Sequence, residues 1–501
     1  SSTQIAALTA SQVGALTTAQ TASISTGALA GFSARQMQAL QTANIATLSA
    51  GQVAALSTDQ LNAMRATQIG GMTVSQINAL TSSQLAGMRD SQVAAMNSQR
   101  MGAIDTSVLQ NMTAGQIQSM TTSQIIGLID TQLAALGTAQ IASMKATQIK
   151  AIETRDLSGL TTGQMVALTS TQVGAFSTNQ LAALSAEQLA AVETQDMLAL
   201  SAKQMATLSA SQVAGLSTTQ VNNLRPHQIA ALTTDAVAAM TDAQLQAMTS
   251  QQMGALKTTQ IQAMTSGQIA ALGTDQLAGL SSQQIGAIET RDLQGLSTSQ
   301  VAALGVRQVS GFNAAQISNL STAQVAALET QDLAALSATQ FSALRSGQIQ
   351  ALSTEQIGSL KNTQIQHLAE SNVSAMSTSQ VAALTTSQLQ VFNTAQIAAL
   401  SSDQLGGIGT DQLTSLKPSL ISALRTEAIA GLSTTQMGAL SVSQIVQMSS
   451  QQIGALSDAQ IAAITTTDVA ALTGRQLSAM STSQMQALTT DQITALKPSQ
   501  V

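Results

Sequence analysis

The residues of this chain that could do chemistry are few, and the most regular among them are carboxylates spaced three residues apart. They recur as Glu-x-x-Asp at four places: Glu153/Asp156, Glu193/Asp196, Glu289/Asp292 and Glu329/Asp332. Such a pair can bind a cation weakly, or it can lie at a helix N-terminus, where negative charge is favourable. We interpret the pairs as helix-start residues, because no EF-hand loop or Gly-Asp-rich calcium repeat accompanies them.

Other reactive groups do not form a recognisable site. The two histidines, His227 and His367, lie far apart in the sequence, and there is no cysteine to form a disulfide or a thiolate metal site. No Gly-Lys-Ser/Thr sequence is present to cradle a phosphate. The sequence therefore predicts no catalytic, cofactor-binding or metal-binding residue and no cofactor, and an enzyme is the function class that it favours least.

Charge and aromatic content bear on the partners. Charged residues make up 8% of the chain, aromatic residues 1%, and the net charge is −6. Binding to nucleic acid commonly depends on clustered Lys and Arg and on aromatic stacking, so we predict no nucleic-acid partner. Apolar runs are short, as in Ile5-Ala6-Ala7-Leu8, whereas a bilayer needs about 20 apolar residues. We therefore predict no membrane span.

An eight-residue repeat runs through residues 1–501 without insertion or deletion. Its consensus is Ser/Thr, Thr, any, Gln, Ile/Val/Leu/Met, any, Ala, Leu/Met, and we call these positions columns one to eight. Column four holds Gln at 50 of its 63 positions. Such constant phase is typical of a single repeat array rather than a disordered segment. Because Ser1 and Val501 both fall inside the array, we expect the sequence to be part of a longer chain.

Columns one to four carry the signature of a helix start. Ser/Thr-x-x-Gln is a capping box, and the apolar residues just before column one and in column five occupy the positions of a hydrophobic staple. All three prolines, Pro226, Pro418 and Pro498, fall in column two. If column one is the N-cap, column two is the first helical position, where proline is tolerated best.

The spacing of the apolar columns indicates the type of secondary structure in each octad. One continuous helix would rotate its apolar pair by roughly 80° per octad, and columns five and eight cannot share one face of a strand. We predict an all-α solenoid with one helix of roughly two turns per octad. A β-solenoid is the alternative. The small residue in column seven would let helices approach closely, and columns five and eight would form the core. The aromatic residues of these two columns are interpreted as core fillers: Phe32, Phe176, Phe312, Phe341 and Phe392.

A longer period lies over the octad from about residue 97 onward. The column-four exceptions recur every 136 residues, which is 17 octads: Arg100, Ala236 and Asn372, and likewise Asp196, Asp332 and Asp468. Duplication of a 17-octad segment explains this without any function. Alternatively, 17 octads complete a whole number of superhelical turns, so that equivalent side chains point the same way.

The text of the repeat resembles a known group of proteins. Runs such as Leu-Ser-Thr-x-Gln-Ile-Ala-Ala-Leu are similar to those of large Ala/Thr/Gln-rich bacterial surface proteins, often labelled haem-utilisation or adhesion proteins. The resemblance covers the whole chain, is compositional, and carries over no functional residue. The haem label finds no support, because two separate histidines and no cysteine supply no axial ligand set.

These observations favour a structural function. We predict a segment of an extracellular bacterial adhesin, stalk or fibre located outside the cell or at its surface. The alternative is a self-assembling filament or sheath subunit, and an ice-binding surface is favoured less, because column three varies. The expected partners are further copies of the chain, neighbouring modules of a longer chain, and a cell surface or extracellular matrix.

Overall fold

The computed structural model describes residues 1–500 and consists of short helices throughout. Each octad in these residues contains one helix of four to six residues, and no strand is found among them. The predicted solenoid of short helices is thereby confirmed, and the β-solenoid is not supported. The helices are shorter than the two turns predicted, since six residues make about 1.7 turns.

By their internal contacts the residues group into two compact units, and the first is Ser1–Leu256. Two of its helices are of the 3₁₀ type, Ser98–Ala103 and Thr154–Gly159. Its α-helices are Ser2–Ala6, Ala10–Gly14, Thr18–Ala22, Thr26–Leu29, Ala34–Ala39, Thr42–Thr47, Ala50–Ala54, Thr58–Ala63, Ala66–Gly70, Val74–Asn78, Ser82–Gly87, Asp90–Val93, Thr106–Asn111, Ala114–Ser119, Thr122–Ile126, Asp130–Ala135, Thr138–Ser143, Ala146–Ala151, Thr162–Val166, Ser170–Ala175, Thr178–Ala183, Ala186–Ala190, Thr194–Met197, Ala202–Met205, Ala210–Ala214, Thr218–Asn223, Pro226–Ala231, Thr234–Ala238, Asp242–Ala247 and Ser250–Ala255.

The second unit begins at Lys257. Its 3₁₀ helix is Asp292–Gly295. Its α-helices are Thr258–Ala263, Ser266–Ala271, Thr274–Gly279, Ser282–Ala287, Thr298–Ala302, Val306–Val309, Ala314–Asn319, Thr322–Ala326, Thr330–Ala335, Ala338–Ser342, Ser346–Gln350, Thr354–Gly358, Asn362–Gln366, Glu370–Ala375, Thr378–Ala382, Thr386–Leu389, Thr394–Ala398, Ser402–Gly406, Thr410–Thr414, Pro418–Ile421, Thr426–Ile429, Thr434–Ala439, Val442–Gln447, Ser450–Gly454, Asp458–Ala463, Thr466–Val469, Gly474–Leu477, Thr482–Gln486 and Thr490–Thr494. The octad register of the sequence continues unchanged through Lys257, and the single continuous array stays a prediction.

Every described helix except Asp292–Gly295 begins at column two, where the capping box predicts. Thr9 in column one is extended, with φ −74° and ψ 156°, and its hydroxyl oxygen accepts the amide hydrogen of Gln12. Pro226 and Pro418 occupy the first helical position, as predicted. Pro498 lies instead in a turn that follows the last described helix. The column-one residue therefore sets the start of the octad helix.

The longer helices end because the chain becomes extended again at column eight, whereas shorter ones such as Ala10–Gly14 end earlier at a residue that is still in the αR region. Leu48, for example, has φ −62° and ψ 137°, and the following Ser49 is also extended, with ψ 160°. Two successive extended residues redirect the chain before the next helix begins. No described residue has a positive φ, so this reversal needs no left-handed glycine.

Within each unit the chain coils so that an octad packs on the octads three and four before it. Helix Ala34–Ala39 contacts helix Ala10–Gly14, three octads earlier. Small residues in column seven make this close packing feasible, as predicted. A Cβ on Gly159 would lie 2.1 Å from the carbonyl oxygen of Asp130, and one on Gly311 would lie 2.3 Å from that of Ser282. One turn of the coil therefore contains between three and four octads.

The core lies inside this coil and is made of columns five and eight. Ile45 and Leu48 illustrate it, with exposed fractions of 0% and 4%. All five phenylalanines are buried in it, as predicted. Because successive turns stack, each short apolar pair is covered by the pairs of neighbouring turns, which supplies the burial that one isolated helix of this length lacks.

Candidate functional site

Most column-four glutamines are buried and use both ends of their side chains. In Gln68, Oε1 accepts the backbone N–H of Arg65 at 2.6 Å, which is the capping bond within the octad. Its Nε2 donates to the carbonyl oxygens of Met37 at 2.8 Å and Leu40 at 2.7 Å, four octads earlier. One amide therefore starts a helix and joins two turns of the coil.

This arrangement repeats along the described chain and forms what we call the glutamine ladder. The Nε2 donor reaches the carbonyl oxygens of columns five and eight, which lie 31 and 28 residues earlier, at Gln116, Gln140, Gln164, Gln188, Gln228, Gln324, Gln364 and Gln396. These carbonyl groups are buried, and a buried carbonyl without a partner costs about 1–3 kcal/mol. The ladder satisfies them at every turn.

Sequence reasoning predicted the capping bond and missed the bond between turns. A signal for it was present, because a capping box works with Glu as well as Gln, yet Glu never occurs in column four. A glutamate would cap the helix but would place a carboxylate oxygen against two carbonyl oxygens. The exclusion of Glu from this column thus indicates a buried N–H donor.

The hydroxyl half of the capping box is dispensable, whereas the glutamine half is retained. Gly137 has no side chain, yet its backbone N–H donates to Gln140 Oε1 at 2.7 Å. The backbone N–H of Lys145 donates to Gln148 in the same way, also at 2.7 Å. The column-four amide is therefore the constant element of the helix start.

Three exceptions in column four keep a donor to the preceding turn. Asn44 Nδ2 donates to the Leu16 carbonyl at 2.8 Å, and Asn372 Nδ2 donates to the Leu344 carbonyl at 3.0 Å. Arg100 Nη1 donates to the carbonyl of Met72 at 2.9 Å. Each reaches the column-eight oxygen 28 residues earlier, so these shorter or longer side chains replace half of the glutamine contact.

The aspartates of column four differ from these exceptions, because an ionised carboxylate has no donor. All five are buried: Asp156, Asp196, Asp292, Asp332 and Asp468. Each places acceptor oxygens where a glutamine has its amide nitrogen. Burial of an ionised carboxylate without a partner is costly, so its surroundings must supply a proton, a donor or a positive charge.

Four of these aspartates have a partner within reach. Arg155 Nε lies 3.5 Å from Asp156 Oδ2, and Arg291 Nε lies 3.6 Å from Asp292 Oδ1. The Ser170 hydroxyl donates to Asp196 Oδ1. Asp468 Oδ2 accepts the backbone N–H of its own column-one threonine at 3.0 Å. These contacts supply a donor or a positive charge to each carboxylate.

Asp332 is the fifth, and its side chain is 1% exposed. Its Oδ1 is buried and has no hydrogen-bond partner. Burial raises the pKa of Asp332, and repulsion by the neighbouring Glu329 carboxylate raises it further. Asp156 Oδ2 is also buried without a hydrogen-bond partner, but it has Arg155 as an ion-pair partner, whereas no ion pair to Asp332 is found in the described residues.

The remaining sequence candidates do not converge on a site. His227 and His367 are both exposed, and the ring Nδ1 of His367 lies 2.7 Å from the carbonyl oxygen of Thr363 in its own helix. In residues 1–500 no cluster of three or more His, Cys, Asp and Glu side chains is found. The prediction that the chain lacks catalytic and cofactor-binding residues stays a prediction.

The repeat itself identifies the family. The ALTTAQ repeat pattern matches nine segments that together cover more than half of the chain: residues 37–74, 149–186, 189–226, 221–258, 258–288, 285–322, 325–362, 386–418 and 461–498. The chain belongs to the ALTTAQ repeat family. This confirms a repetitive Ala/Thr/Gln-rich protein, and the ALTTAQ match has no bearing on a bacterial surface location or on haem. No curated protein matches the chain.

Two solved structures align with long stretches of the chain. One is titled "Structure of APUM23-GGAAUUGACGG", with 13% identity over 81% of this chain and 92% of that one, at a TM-score of 0.16. The other is titled "Structure of APUM23-GGAUUUGACGG", with 12% identity over 73% of this chain and 86% of that one, at a TM-score of 0.15.

The prediction that excluded a nucleic-acid partner is contradicted by these neighbours, which are repeat proteins bound to RNA, and it is withdrawn. The prediction was based only on basic charge and aromatic content. At TM-scores of 0.16 and 0.15 the likeness carries no argument that this chain binds RNA. No helix in the described part of the chain has the length and apolar character needed to cross a bilayer.

Proposed function

We propose that this chain is a non-catalytic stalk segment of an extracellular bacterial surface protein. The observation that carries the proposal is the glutamine ladder. It bonds each turn of the coil to the one before it through buried contacts that repeat at a fixed sequence separation of 28 and 31 residues. A protein joined in this way can change its length by whole octads without changing any contact type.

The outer surface supports the same proposal. Columns two and three are mostly exposed and rich in Ser, Thr and small residues, with few charges. The absence of cysteine suits a protein that crosses membranes unfolded and then folds outside the cell without disulfides. Stability then comes from repetition of the ladder and the core rather than from covalent links.

Removing one 17-octad module tests the stalk. Deleting Glu153–Ile288 joins Ile152 to Glu289 and keeps the octad register, since Glu289 begins the same Glu-Thr-Arg-Asp sequence as Glu153. We expect the purified variant to keep the helical circular dichroism per residue of the parent. Its particle length in electron micrographs should fall in proportion to the residues removed. A length that does not change would contradict the proposal.

A matched control shows whether the chain tolerates any deletion or only one that keeps the octad register. Removing only four residues, Glu153–Asp156, shifts every later glutamine by half an octad relative to the preceding turn. We expect this variant to lose cooperative unfolding near the junction. Location is tested independently with an antibody against the repeat on intact cells of the source organism. Labelling only after lysis would contradict an extracellular location.

A further inference from the structure

Two of the Glu-x-x-Asp pairs show that this arrangement holds one cation between its carboxylates. Arg291 Nη2 lies 2.7 Å from Glu289 Oε2, and its Nε lies 3.6 Å from Asp292 Oδ1. Arg155 pairs with Glu153 and Asp156 in the same way. In both octads the guanidinium comes from the residue directly before the aspartate. The pair thus has a built-in counter-charge.

The pair Glu329/Asp332 lacks that counter-charge, because Gln331 stands where the other two octads have arginine. Gln331 Nε2 donates to Glu329 Oε2 at 2.9 Å and brings no positive charge. Asp332 Oδ1 is buried and has no hydrogen-bond partner. The residue that corresponds to Ser170, the donor to Asp196, is Val306, which has no hydroxyl.

Backbone oxygens face the same position. In a glutamine octad the amide nitrogen contacts the carbonyl oxygens 31 and 28 residues earlier, as Gln324 contacts Leu293 and Leu296, each at 2.8 Å. For Asp332 the corresponding carbonyls are those of Val301 and Leu304. Within residues 1–500 no hydrogen bond to the Leu304 oxygen is found. By analogy with Asn372, which reaches the Leu344 carbonyl 28 residues earlier, the register assigns Asp332 to the Leu304 carbonyl oxygen at a position that elsewhere holds an N–H group, and Glu329 lies three residues before Asp332.

The charges nearby do not fill this position. The helices packed on Thr330–Ala335 are Val306–Val309 and Thr354–Gly358, and they carry one charged residue each, Arg307 and Glu355. The ion pairs found in the described residues involve only Arg155 and Arg291, so neither of these side chains pairs with Asp332. The local charge is left to an external partner.

We propose that Glu329, Asp332 and the Leu304 carbonyl oxygen form a binding site for a hard divalent cation of the calcium type. Hard cations take oxygen ligands, and calcium accepts mixed carboxylate, carbonyl and water ligands in flexible geometry, whereas magnesium requires near-ideal octahedra. Three protein ligands with water completing the shell correspond to a weak site, with a dissociation constant of about 10⁻⁴–10⁻³ M, as in extracellular modules. The cation links one turn of the coil to the next, as the glutamine amide does elsewhere.

Equilibrium dialysis of the full chain against radioactive calcium tests the site. We expect one saturable calcium ion per wild-type chain in the millimolar range and none for Asp332→Asn. Asparagine folds in this column, because Asn372 reaches the carbonyl of Leu344 there. We also expect no binding to Gln331→Arg, which restores the built-in cation seen at Arg291. Loss of binding in both variants cannot arise from misfolding if their circular dichroism matches that of the wild type.

Asp292→Asn is the matched control, because it removes an aspartate from the same column where an arginine is already present. It should keep one calcium ion per chain. Three results would overturn the proposal: no saturable calcium on the wild type at 10-fold above the expected dissociation constant, binding that survives Asp332→Asn, or equal loss in Asp292→Asn. None of these results bears on the stalk, whose length test is independent of calcium.

Discussion

Gln324 and Asp332 occupy the same column in successive octads, and they differ in that Asp332 has a shorter side chain that ends in a carboxylate instead of an amide. Gln324 is 3% exposed and Asp332 is 1% exposed, so both are in the interior. Gln324 Nε2 donates to two carbonyl oxygens of the preceding turn, whereas Asp332 has an oxygen without a partner. Most residues of this column supply an N–H donor to the preceding turn. The five apolar exceptions supply neither a donor nor a charge: Ala28, Val108, Ala236, Leu420 and Ala428.

The comparison teaches that helix starting and turn joining are separable. Both Glu and Gln can complete a capping box, yet only the amide also satisfies the turn before it. The bonds between turns of the coil therefore depend on Nε2 of the column-four glutamine, and the helix start depends on its Oε1. Each variant below changes one of these two functions and leaves the other in place.

The largest effect is expected for Gln324→Glu. The capping oxygen remains, but a buried carboxylate then faces the carbonyls of Leu293 and Leu296. We expect local stability to fall by about 3 kcal/mol or more, because unsatisfied buried groups cost about 1–3 kcal/mol each and charged ones more. Hydrogen exchange of the amides in residues 289–328 measures the local opening free energy.

Gln12→Glu is the control for this prediction. Gln12 is exposed and makes only the capping contacts, with Thr9 N at 2.8 Å. We expect the local opening free energy to change by less than about 0.5 kcal/mol, as for ordinary surface substitutions. Equal losses at both positions would show that the comparison is wrong and that the amide matters for the cap.

Asp332→Gln should have the next largest effect, in the opposite direction. It supplies the missing donor to the Leu304 carbonyl and removes a buried charge. We therefore expect the local opening free energy to increase by about 2 kcal/mol in calcium-free buffer at neutral pH. Local hydrogen exchange again provides the measurement. Asp292→Gln should gain less, since Arg291 already lies beside that carboxylate.

The pH dependence of wild type relative to Asp332→Asn tests the same position. Because the pKa of Asp332 is raised above its ordinary value of 3.8, the folded chain holds this proton to higher pH than the unfolded chain does. The favourable contribution is fully present below pH 3.8 and is lost as pH rises through the raised pKa. Urea unfolding in a chelator from acid to neutral pH should show the wild type falling relative to the variant. A constant difference would contradict the raised pKa.

A smaller effect is expected at the aspartate that has a hydroxyl partner. Ser170→Ala removes the donor to Asp196 and should destabilise that turn by about 1 kcal/mol. The reciprocal change, Val306→Ser, supplies the corresponding hydroxyl to Asp332 and should stabilise the second unit by a similar amount. Chemical denaturation of the two variants side by side measures both. Changes of the same sign would contradict the assigned correspondence of Ser170 and Val306.

The smallest effect is expected for Ser321→Gly. The hydroxyl of Ser321 accepts the Gln324 N–H at 3.1 Å, but Gly137 and Gly409 show that the bond from the backbone N–H to the glutamine persists without it. We expect a loss of a few tenths of a kcal/mol, about the usual cost of glycine at an N-cap. A loss above about 1 kcal/mol in thermal unfolding would assign the helix start to the hydroxyl.

Much of the local structure could be predicted from the sequence. The Ser/Thr-x-x-Gln pattern and Pro226 located the helix starts, because the residues of a capping box lie within four positions of one another in the sequence. Column five and column eight were correctly assigned to the core, since their spacing of three suits one helical face. The helix length was overestimated, because the column-eight residue is extended rather than helical.

The candidate site could not be predicted in the same way. Glu193/Asp196 and Glu329/Asp332 share the sequence Glu-Thr-Gln-Asp, and one difference between them is Val306, which stands 26 residues before Asp332 where Ser170 stands before Asp196. The pKa of Asp332 is raised by burial first and by Glu329 second, and the burial depends on the helices that neighbouring turns pack against this octad. No pattern within one octad contains that information.

The sequence by itself determined the repeat unit, the cap and the apolar columns, since all of these follow from chemistry within eight residues. Only the tertiary structure decided that an octad meets the octads three and four before it, and therefore that Gln68 bonds to Met37 and Leu40. The physical reason is that the number of octads per turn depends on how closely neighbouring helices pack. That closeness is set jointly by column-seven side chains, the extended pair between helices and the width of the core.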